Sequence, residues 1–329
     1  MTFRLPTLDS LQAARAIVYR SMPPTPQYRW PLLCQRLGTD AWLKHENHAP
    51  TGAFKVRGGL VYFDGLRGSP VAQRGVISAT RGNHGQSVGF AARALGVPAT
   101  IVVPFGNSRE KNAAMRALGV ELVEHGEDFQ AAREHAARLA DERGLHMVPS
   151  FHQDLVRGVA SYWLEFFEAV TGLDVVYVPI GLGSGASAAI AARDALGLRT
   201  EVVGVASSGA RAYALSLAQG REVEAPVTTV IADGMACRVP EPQALQIMRA
   251  GLARLVEVDD AQVAEAMRAI FVDTHNVAEG AGAAALAAAM LERDRLTGLK
   301  VGLALSGANV DHDVYARALL RSPPAIPVR

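Results

Sequence analysis

The sequence predicts an α/β protein with two lobes, each an open, twisted and mostly parallel β-sheet flanked by helices. Three junctions indicate this class: "RALGVPATIVVP" from Arg93, "RALGVELVEHG" from Arg116 and "DALGLRTEVVGVA" from Asp194. Each reads as the end of a helix, a glycine at its C-terminal cap and then a run rich in β-branched residues. Alternating helices and strands with short glycine joints are typical of a parallel sheet covered by helices.

Further elements of the same kind follow along the chain. Residues 175–179 predict a strand before a helix over 181–197, and residues 299–306 predict a strand before a helix over 311–320. The runs "TIVVP" and "VVYVPI" are almost continuously apolar, as expected for strands buried on both faces. The alanine-rich stretch 279–290 predicts a closely packed helix, because alanine is the strongest helix former.

Two interruptions of this pattern mark the boundaries between lobes. They are "FDGLRGSPVAQRG" at 63–75 and "MVPSFHQD" at 147–154. We therefore predict a large domain made of residues 1–65 and 150–329, with a small domain, residues 66–149, inserted between its two parts.

Composition excludes several classes of protein. The formal net charge of +1 over 329 residues argues against a dedicated nucleic-acid binder. The sequence contains no apolar run long enough to span a bilayer, and its first residues do not resemble a secretory signal. Cys34 and Cys237 form neither a disulfide framework nor a zinc-like spacing. We expect a cytoplasmic protein without nucleic-acid or membrane partners.

A glycine-rich joint follows the predicted strand 175–179. Gly181, Gly183 and Gly185 lie in "VPIGLGSGAS", immediately before the next helix. Such a loop lets backbone N–H groups approach an anion, and the dipole of the helix N-terminus favours negative charge. A plain strand-to-helix turn is the alternative, although three glycines in five residues exceed what a turn requires. The pattern favours phosphate binding.

Three better-known motifs fit this joint less well. The looser dinucleotide fingerprint, G-x-G-x-x-A from Gly181, also needs an acidic residue at the end of the next strand, whereas Glu201 lies at its start. A serine-hydrolase elbow fails because Leu182 and Ala186, not glycines, flank Ser184. The Walker pattern is absent, since no Lys-Ser/Thr pair follows the glycines.

Three more segments contain candidate functional side chains. Lys55 lies in the apolar "GAFKVRG", where desolvation would lower the pKa of its amine and suit Schiff-base chemistry, unless it is a solvated surface lysine. "ATRGNHGQS" follows a short apolar run, and a glycine turn explains its glycines but not the polar pair Asn83–His84. Ser306 ends a predicted strand, where α/β sheets bind ligands or where a serine caps the next helix.

Together and in this order, the four segments resemble the fold-type II pyridoxal-phosphate enzymes, specifically the serine/threonine dehydratase and serine racemase family. The resemblance covers nearly the whole chain and implies a fold similar to the tryptophan synthase β-subunit. It also implies pyridoxal 5'-phosphate as cofactor, bound by the large domain, with the asparagine loop on the small domain. A small-molecule amino acid would be the substrate, and the assembly would be a homodimer or homotetramer.

The resemblance assigns a role to each matching residue. Lys55 would hold the cofactor covalently, Phe54 would pack beside its ring, Asn83 would hydrogen-bond the ring hydroxyl and Ser306 would meet the pyridine nitrogen. The phosphate would be bound by Gly181, Leu182, Gly183, Ser184 and Gly185. The substrate would be bound by the loop Thr80, Arg81, Gly82, Asn83 and His84, largely through backbone N–H groups.

The implied reaction is β-elimination from a β-hydroxy amino acid, L-threonine or L-serine, giving a 2-oxo acid and ammonia. Arg81 departs from the family, whose dehydratases usually have alanine there and whose racemases have a serine that acts as acid and base. Arginine does not give up its proton in proteins, so a racemase ranks below a dehydratase. Arg81 either faces solvent or reads a second anionic group, as in 3-hydroxyaspartate.

No metal site is predicted. Many family members bind a divalent cation just after the strand equivalent to 201–206, but the matching "ASSGARAYA" contains no carboxylate. His45 and His48 are spaced i, i+3 without companion ligands. Two other classes of function, a non-catalytic amino-acid sensor and an NAD-dependent oxidoreductase, rank lower, because a sensor need not keep Lys55 and the oxidoreductase reading needs an acid where Glu201 is not.

Overall fold

The computed structural model describes residues 5–70 and 74–320. Residues 1–4, 71–73 and 321–329, which belong to the predicted domain ranges, lie outside the described residues. The strands are β1 (Gln27–Tyr28), β2 (Asp40–His45), β3 (Val76–Ala79), β4 (Ala99–Val103), β5 (Glu121–Glu124), β6 (His146–Met147), β7 (Val175–Pro179), β8 (Glu201–Ser207), β9 (Arg254–Val258) and β10 (Lys300–Leu305).

These strands form two sheets. A six-stranded sheet has the order β1-β2-β10-β7-β8-β9, and a four-stranded sheet has the order β5-β4-β3-β6. Every pairing is parallel except that of β1 with β2. The predicted two mostly parallel sheets are therefore confirmed. The strands of the smaller sheet all lie between residues 66 and 149, while the exact bounds of the two domains remain a prediction.

Helices connect the strands. They are α1 (Leu8–Val18), α2 (Pro31–Leu37), α3 (Lys55–Gly65), α4 (Asn83–Leu95), α5 (Arg109–Ala117), α6 (Phe129–Arg143), α7 (Gln153–Ala169), α8 (Ser184–Ala195), α9 (Ala212–Gln219), α10 (Pro242–Gly251), α11 (Asp260–Thr274), α12 (Gly280–Leu291) and α13 (His312–Leu320). Short 3₁₀ turns occupy Glu46–His48, Asp233–Met235 and Arg293–Leu296. None of the helices in the described ranges is long and apolar enough to cross a membrane.

The three predicted glycine junctions are confirmed. Gly96 caps α4 in the left-handed region at φ 72°, and Gly119 and Gly197 have positive φ directly after α5 and α8. The helix predicted over 181–197 begins at Ser184, so the glycines that precede it form its N-terminal loop. The alanine-rich helix also forms, as α12.

The six-stranded sheet is buried on both faces. Val175 and Tyr177 of β7 join a core with α2, α11 and α12, whereas Val176 and Val178 join a second core with α7, α8 and α10. Because side chains alternate along a strand, an almost continuous apolar run is what two covered faces require.

The four-stranded sheet is covered in the same way. Val76 and Ile101 pack with α3 and α4 on one face, and Ile77 and Val102 pack with α6 on the other. Helix α3 contacts α4 and also α7, so it joins the two lobes. The segments that contain the candidate functional residues follow the carboxyl ends of β2, β3, β7 and β10.

Candidate active site

The lysine turn and the end of β10 are joined by backbone hydrogen bonds. The N–H of Phe54 donates to the carbonyl of Ser306 at 3.1 Å, and the N–H of Ala308 donates to the carbonyl of Gly52 at 2.9 Å. Ala53 forms an antiparallel bridge with Gly307. These bonds hold Lys55, the first residue of α3, beside the buried Ser306 although the two are far apart in sequence.

The amine of Lys55 lies near the ring of Phe54 and within reach of the charge of Glu279. Its side chain is half-buried, and its Nζ lies 5.1 Å from the centre of the Phe54 ring. Burial lowers the pKa of Lys55 to about 8, and the negative charge of Glu279 opposes that shift. A lysine with this pKa is partly neutral near pH 8 and can act as a nucleophile or a base.

The loop after β3 presents the N-terminus of α4. The hydroxyl of the buried Thr80 accepts hydrogen bonds from the N–H groups of Gly82 at 2.9 Å and Gly85 at 3.3 Å. The N-cap residue Gly82 has no side chain, and the described backbone hydrogen bonds include none from the N–H groups of Asn83 and His84. Free N–H groups at a helix N-terminus suit a carboxylate.

His84 is buried with one ring nitrogen unpaired. It hydrogen-bonds the carbonyl of Pro149, while its Nε2 makes no hydrogen bond among the described residues. Burial, with a further contribution from the charge of Lys55, lowers the pKa of His84 to about 3. The ring is therefore neutral at physiological pH and offers an acceptor to a ligand.

Gly181 and Gly183 of the glycine loop lie too close to neighbouring residues for a side chain at either position. A Cβ on Gly181 would lie 2.2 Å from the carbonyl oxygen of Gly234, and one on Gly183 would lie 2.6 Å from the Cβ of Ala244. Gly183 also has φ 101°, a conformation that favours glycine. It is the N-cap of α8, which has no side-chain cap, so the first N–H groups of this helix remain available to an anion.

Among the described residues, none lies close enough to Gly185 to exclude a side chain there. A Cβ there would make only ordinary contacts, at 3.6 Å to Val178 and 3.7 Å to the ring of Phe54. The glycine leaves space beside the uncapped N-terminus of α8, next to the Phe54 ring. Together with the unpaired nitrogen of His84 and the desolvated Lys55 amine, this arrangement fits a phosphorylated aromatic aldehyde.

Arg81 has no partner in the described part of the chain. Its side chain is half-buried, and the described hydrogen bonds and ion pairs include none from its guanidinium. Arg81 therefore either faces solvent or binds a second anionic group of the substrate.

His45 and His48, for which no metal site is predicted, belong to an aromatic cluster. Trp30 donates its Nε1–H to His45 Nε2 at 3.0 Å, and His48 contacts Asn276 at 2.8 Å. Within the described ranges, no three metal-ligating side chains come together. Glu201, which a dinucleotide site would need beside the glycine loop, instead pairs with Arg254 at the start of β8.

Four residues of the site were missed by sequence reasoning. Asn83 Nδ2 donates to Glu279 at 2.6 Å, Asn309 Nδ2 donates to Asn83 Oδ1 at 2.9 Å, and Lys111 Nζ contacts Glu279 at 3.1 Å and Asp233 at 2.7 Å. Asn309 lies only three residues beyond Ser306, which is a weak signal. Lys111 lies in a polar stretch that resembles solvated surface, whereas Asp233 and Glu279 interrupt apolar stretches, which is a signal of burial.

Comparison with known proteins supplies independent findings. The model of the family described as "Pyridoxal-phosphate dependent enzyme" matches residues 18–307. An L-threonine ammonia-lyase of Thermotoga maritima is 30% identical over 95% of this chain and 78% of its own. One from Geobacter sulfurreducens is 36% identical over 84% and 69%. The solved structure of maize serine racemase, 25% identical, superposes with a TM-score of 0.89 over 96% of this chain and 97% of its own.

Proposed function

We propose that this chain, which belongs to the family of pyridoxal-phosphate dependent enzymes, removes the β-hydroxyl and amino groups of L-threonine, L-serine or both. The products would be a 2-oxo acid and ammonia. The observation that supports this best is the half-buried Lys55 amine, with its lowered pKa, beside Ser306 and Phe54. Relatives named L-threonine ammonia-lyase, similar over most of both chains, support the same reaction.

The proposed cofactor contacts use the groups described above. The uncapped N-terminus of α8 and the loop 181–185 would bind the phosphate through backbone N–H groups. Phe54 would pack against the ring, Asn83 would donate to its hydroxyl and Ser306 would face its nitrogen. When bound, pyridoxal phosphate supplies an electron sink for charge that develops at the substrate α-carbon.

The side chains of the site would then divide the reaction between them. The substrate carboxylate would bind the free N–H groups at the N-terminus of α4, which orients the α-C–H bond. The Lys55 amine, free once the substrate amine has replaced it, would take the α-proton. The resulting ammonium would give this proton to the β-hydroxyl as the C–O bond breaks, so the hydroxyl would leave as water. Water would hydrolyse the released enamine to the 2-oxo acid and ammonia. A neutral hydroxyl at Ser306 does not enforce a positive ring nitrogen, which favours prompt loss of the β-hydroxyl.

Capture of the cofactor by Lys55 should depend on pH. Only the neutral amine has a free electron pair, and its fraction rises with pH through the pKa of about 8. We expect the rate at which apoprotein takes up pyridoxal phosphate, followed by visible absorbance, to rise from pH 6.5 and level off above pH 9. An exposed lysine with a pKa of about 10.4 would show a rate still rising tenfold per pH unit at pH 9. That second profile would contradict a desolvated Lys55.

Substrate choice is tested with a fixed panel. We expect release of a 2-oxo acid from L-threonine or L-serine. The panel also contains D-serine and the isomers of 3-hydroxyaspartate as alternative substrates. Because Arg81 has no partner in the described residues, a 3-hydroxyaspartate dehydratase is the second candidate. In that case Arg81→Ala would raise KM for 3-hydroxyaspartate at least tenfold and leave L-threonine turnover nearly unchanged. If the cofactor-loaded protein releases no 2-oxo acid from any amino acid of the panel, both dehydratase proposals are contradicted.

Racemisation is the remaining alternative on this scaffold. Maize serine racemase superposes with a TM-score of 0.89, so the fold alone does not separate a racemase from a dehydratase. Chiral analysis of the remaining amino acid in the same panel would reveal a racemase. The homodimeric or homotetrameric state and the cytoplasmic location remain predictions.

A further inference from the structure

The amide of Asn83 is held on both sides. Its Nδ2 donates to Glu279 Oε1 at 2.6 Å, and its Oδ1 accepts from Asn309 Nδ2 at 2.9 Å. A carboxylate only accepts hydrogen bonds, so the amide nitrogen must face Glu279. Asn309 must present its own nitrogen, because the same Nδ2 also donates to the carbonyl of Thr51 at 2.8 Å. The two partners therefore allow a single orientation of the Asn83 amide.

Glu279 is itself rigidly placed. Its side chain is buried, at 2% exposure, and its backbone N–H donates to the carbonyl of Gly307 at 3.0 Å. A Cβ on Gly307 would lie 2.5 Å from Glu279 Oε1, so the carboxylate packs directly on the backbone beside Ser306. Its second oxygen accepts from Lys111 Nζ at 3.1 Å. Both carboxylate oxygens thus have partners.

Lys111 extends the contact across the two lobes. It lies on α5, after a strand of the smaller sheet, and its buried ammonium also reaches Asp233 at 2.7 Å. Burial alone would lower the pKa of Lys111, but the charges of Glu279 and Asp233 outweigh it and raise the pKa above its ordinary value. The backbone next to Asp233, at Gly234, is the part that touches Gly181. Hydrogen bonds therefore link the lysine turn and the asparagine loop to Asp233, whose neighbour Gly234 packs against the glycine loop.

We propose that Glu279 is a positioning residue of this site, which fixes the amide of Asn83 so that its second N–H stays available to the ring of bound pyridoxal phosphate. Burial raises the pKa of Glu279 and the charge of Lys111 opposes that rise, while Asn309 holds the other end of the amide. This inference rests on the proposed function, in which Asn83 contacts the cofactor.

The test is a double-mutant cycle on cofactor binding. Apparent Kd for pyridoxal phosphate and the visible absorption spectrum are measured for the wild type, Asn83→Ala, Glu279→Gln and the double variant. We expect each single variant to weaken binding about tenfold, the size of one lost hydrogen bond, and to shift the absorption maximum in the same direction. If Glu279 acts through Asn83, the double variant binds no more weakly than Asn83→Ala alone.

Glu292→Gln is the matched control. Glu292 lies at the opposite end of α12 from Glu279 and its carboxylate accepts from Arg254 at 2.7 Å and from Tyr177 at 2.6 Å, so the Kd of this variant should change less than about threefold. Fully additive losses in the double variant, or an unaltered Glu279→Gln protein beside an impaired Asn83→Ala protein, would overturn the inference. Normal binding and a normal spectrum in Asn83→Ala would instead refute the proposed role of Asn83 itself.

A second variant covers the case in which Glu279→Gln does not fold. Asn309→Leu removes the other partner of the Asn83 amide and leaves both carboxylates of Lys111 in place. The same cycle with Asn83→Ala should again be non-additive in Kd and in the spectrum. Additivity here would contradict the two-sided hold on the amide.

Discussion

Lys55→Ala is expected to abolish turnover, with kcat for 2-oxo acid release reduced on the order of a thousandfold or more. The substitution removes both the amine that would hold the cofactor and the base that would take the α-proton, and a positioned base alone contributes about 10²- to 10⁴-fold. The fold should survive, because the half-buried side chain makes no hydrogen bond among the described residues that its loss would leave unpaired. The measurement is single-substrate kinetics with the visible spectrum and the thermal midpoint.

Lys300→Ala is the matched control for that experiment. Lys300 begins β10, at the opposite end of the strand from Ser306, and its Nζ donates to the carbonyl of Thr171 at 3.0 Å. Its kcat should stay within about twofold of the wild type, as for a surface substitution. Retention of a tenth or more of the activity by Lys55→Ala would contradict the proposed mechanism. An NAD-dependent oxidoreductase would keep its activity in both variants.

Arg57→Met is expected to lower the free energy of unfolding by about 3–5 kcal/mol, the usual cost of breaking a buried ion pair by removing one partner. Arg57 is fully buried and bonds Glu46 at 2.7 Å and Glu165 at 2.6 Å. The buried Lys44 also pairs with Glu165, at 2.7 Å. Two cations and two carboxylates therefore balance, and loss of the guanidinium leaves one negative charge uncompensated in the interior.

Urea denaturation of the two proteins measures this difference. Arg211→Met is the control, because the guanidinium of Arg211 pairs with Glu257 at 2.7 Å but its side chain is about half exposed. Exposed pairs contribute only about 0–1 kcal/mol, so this variant should unfold nearly as the wild type does. Equal effects of the two substitutions would show that the buried cluster is not a special contributor to stability. Arg57 lies two residues after Lys55 on α3, so the buried cluster also holds the helix that carries the amine.

The sequence alone predicted the parallel α/β class, the burial of the strands on both faces and the segments that contain the candidate site residues. Such features are local: a glycine cap, an alternating or continuous apolar run, and a polar residue directly after a strand. Each of four candidate residues lies in a short stretch that its neighbouring residues are enough to single out: Lys55, Asn83, Gly181 and Ser306. The resemblance to a known family, and not the local patterns, predicted that these stretches would meet.

Only the tertiary structure decided which polar residues are buried and with whom they pair. Glu279 and Asn83 are separated by 196 positions, and Arg57 and Glu165 by 108, and no pattern along the chain links them. In sequence, Lys111 is indistinguishable from a solvated charge, and the apolar residues around Glu165 and Glu279 indicate burial but not a partner. Their roles, and the lowered pKa of Lys55, depend on desolvation and on distances of about 3 Å between elements, which exist only once the two lobes have come together.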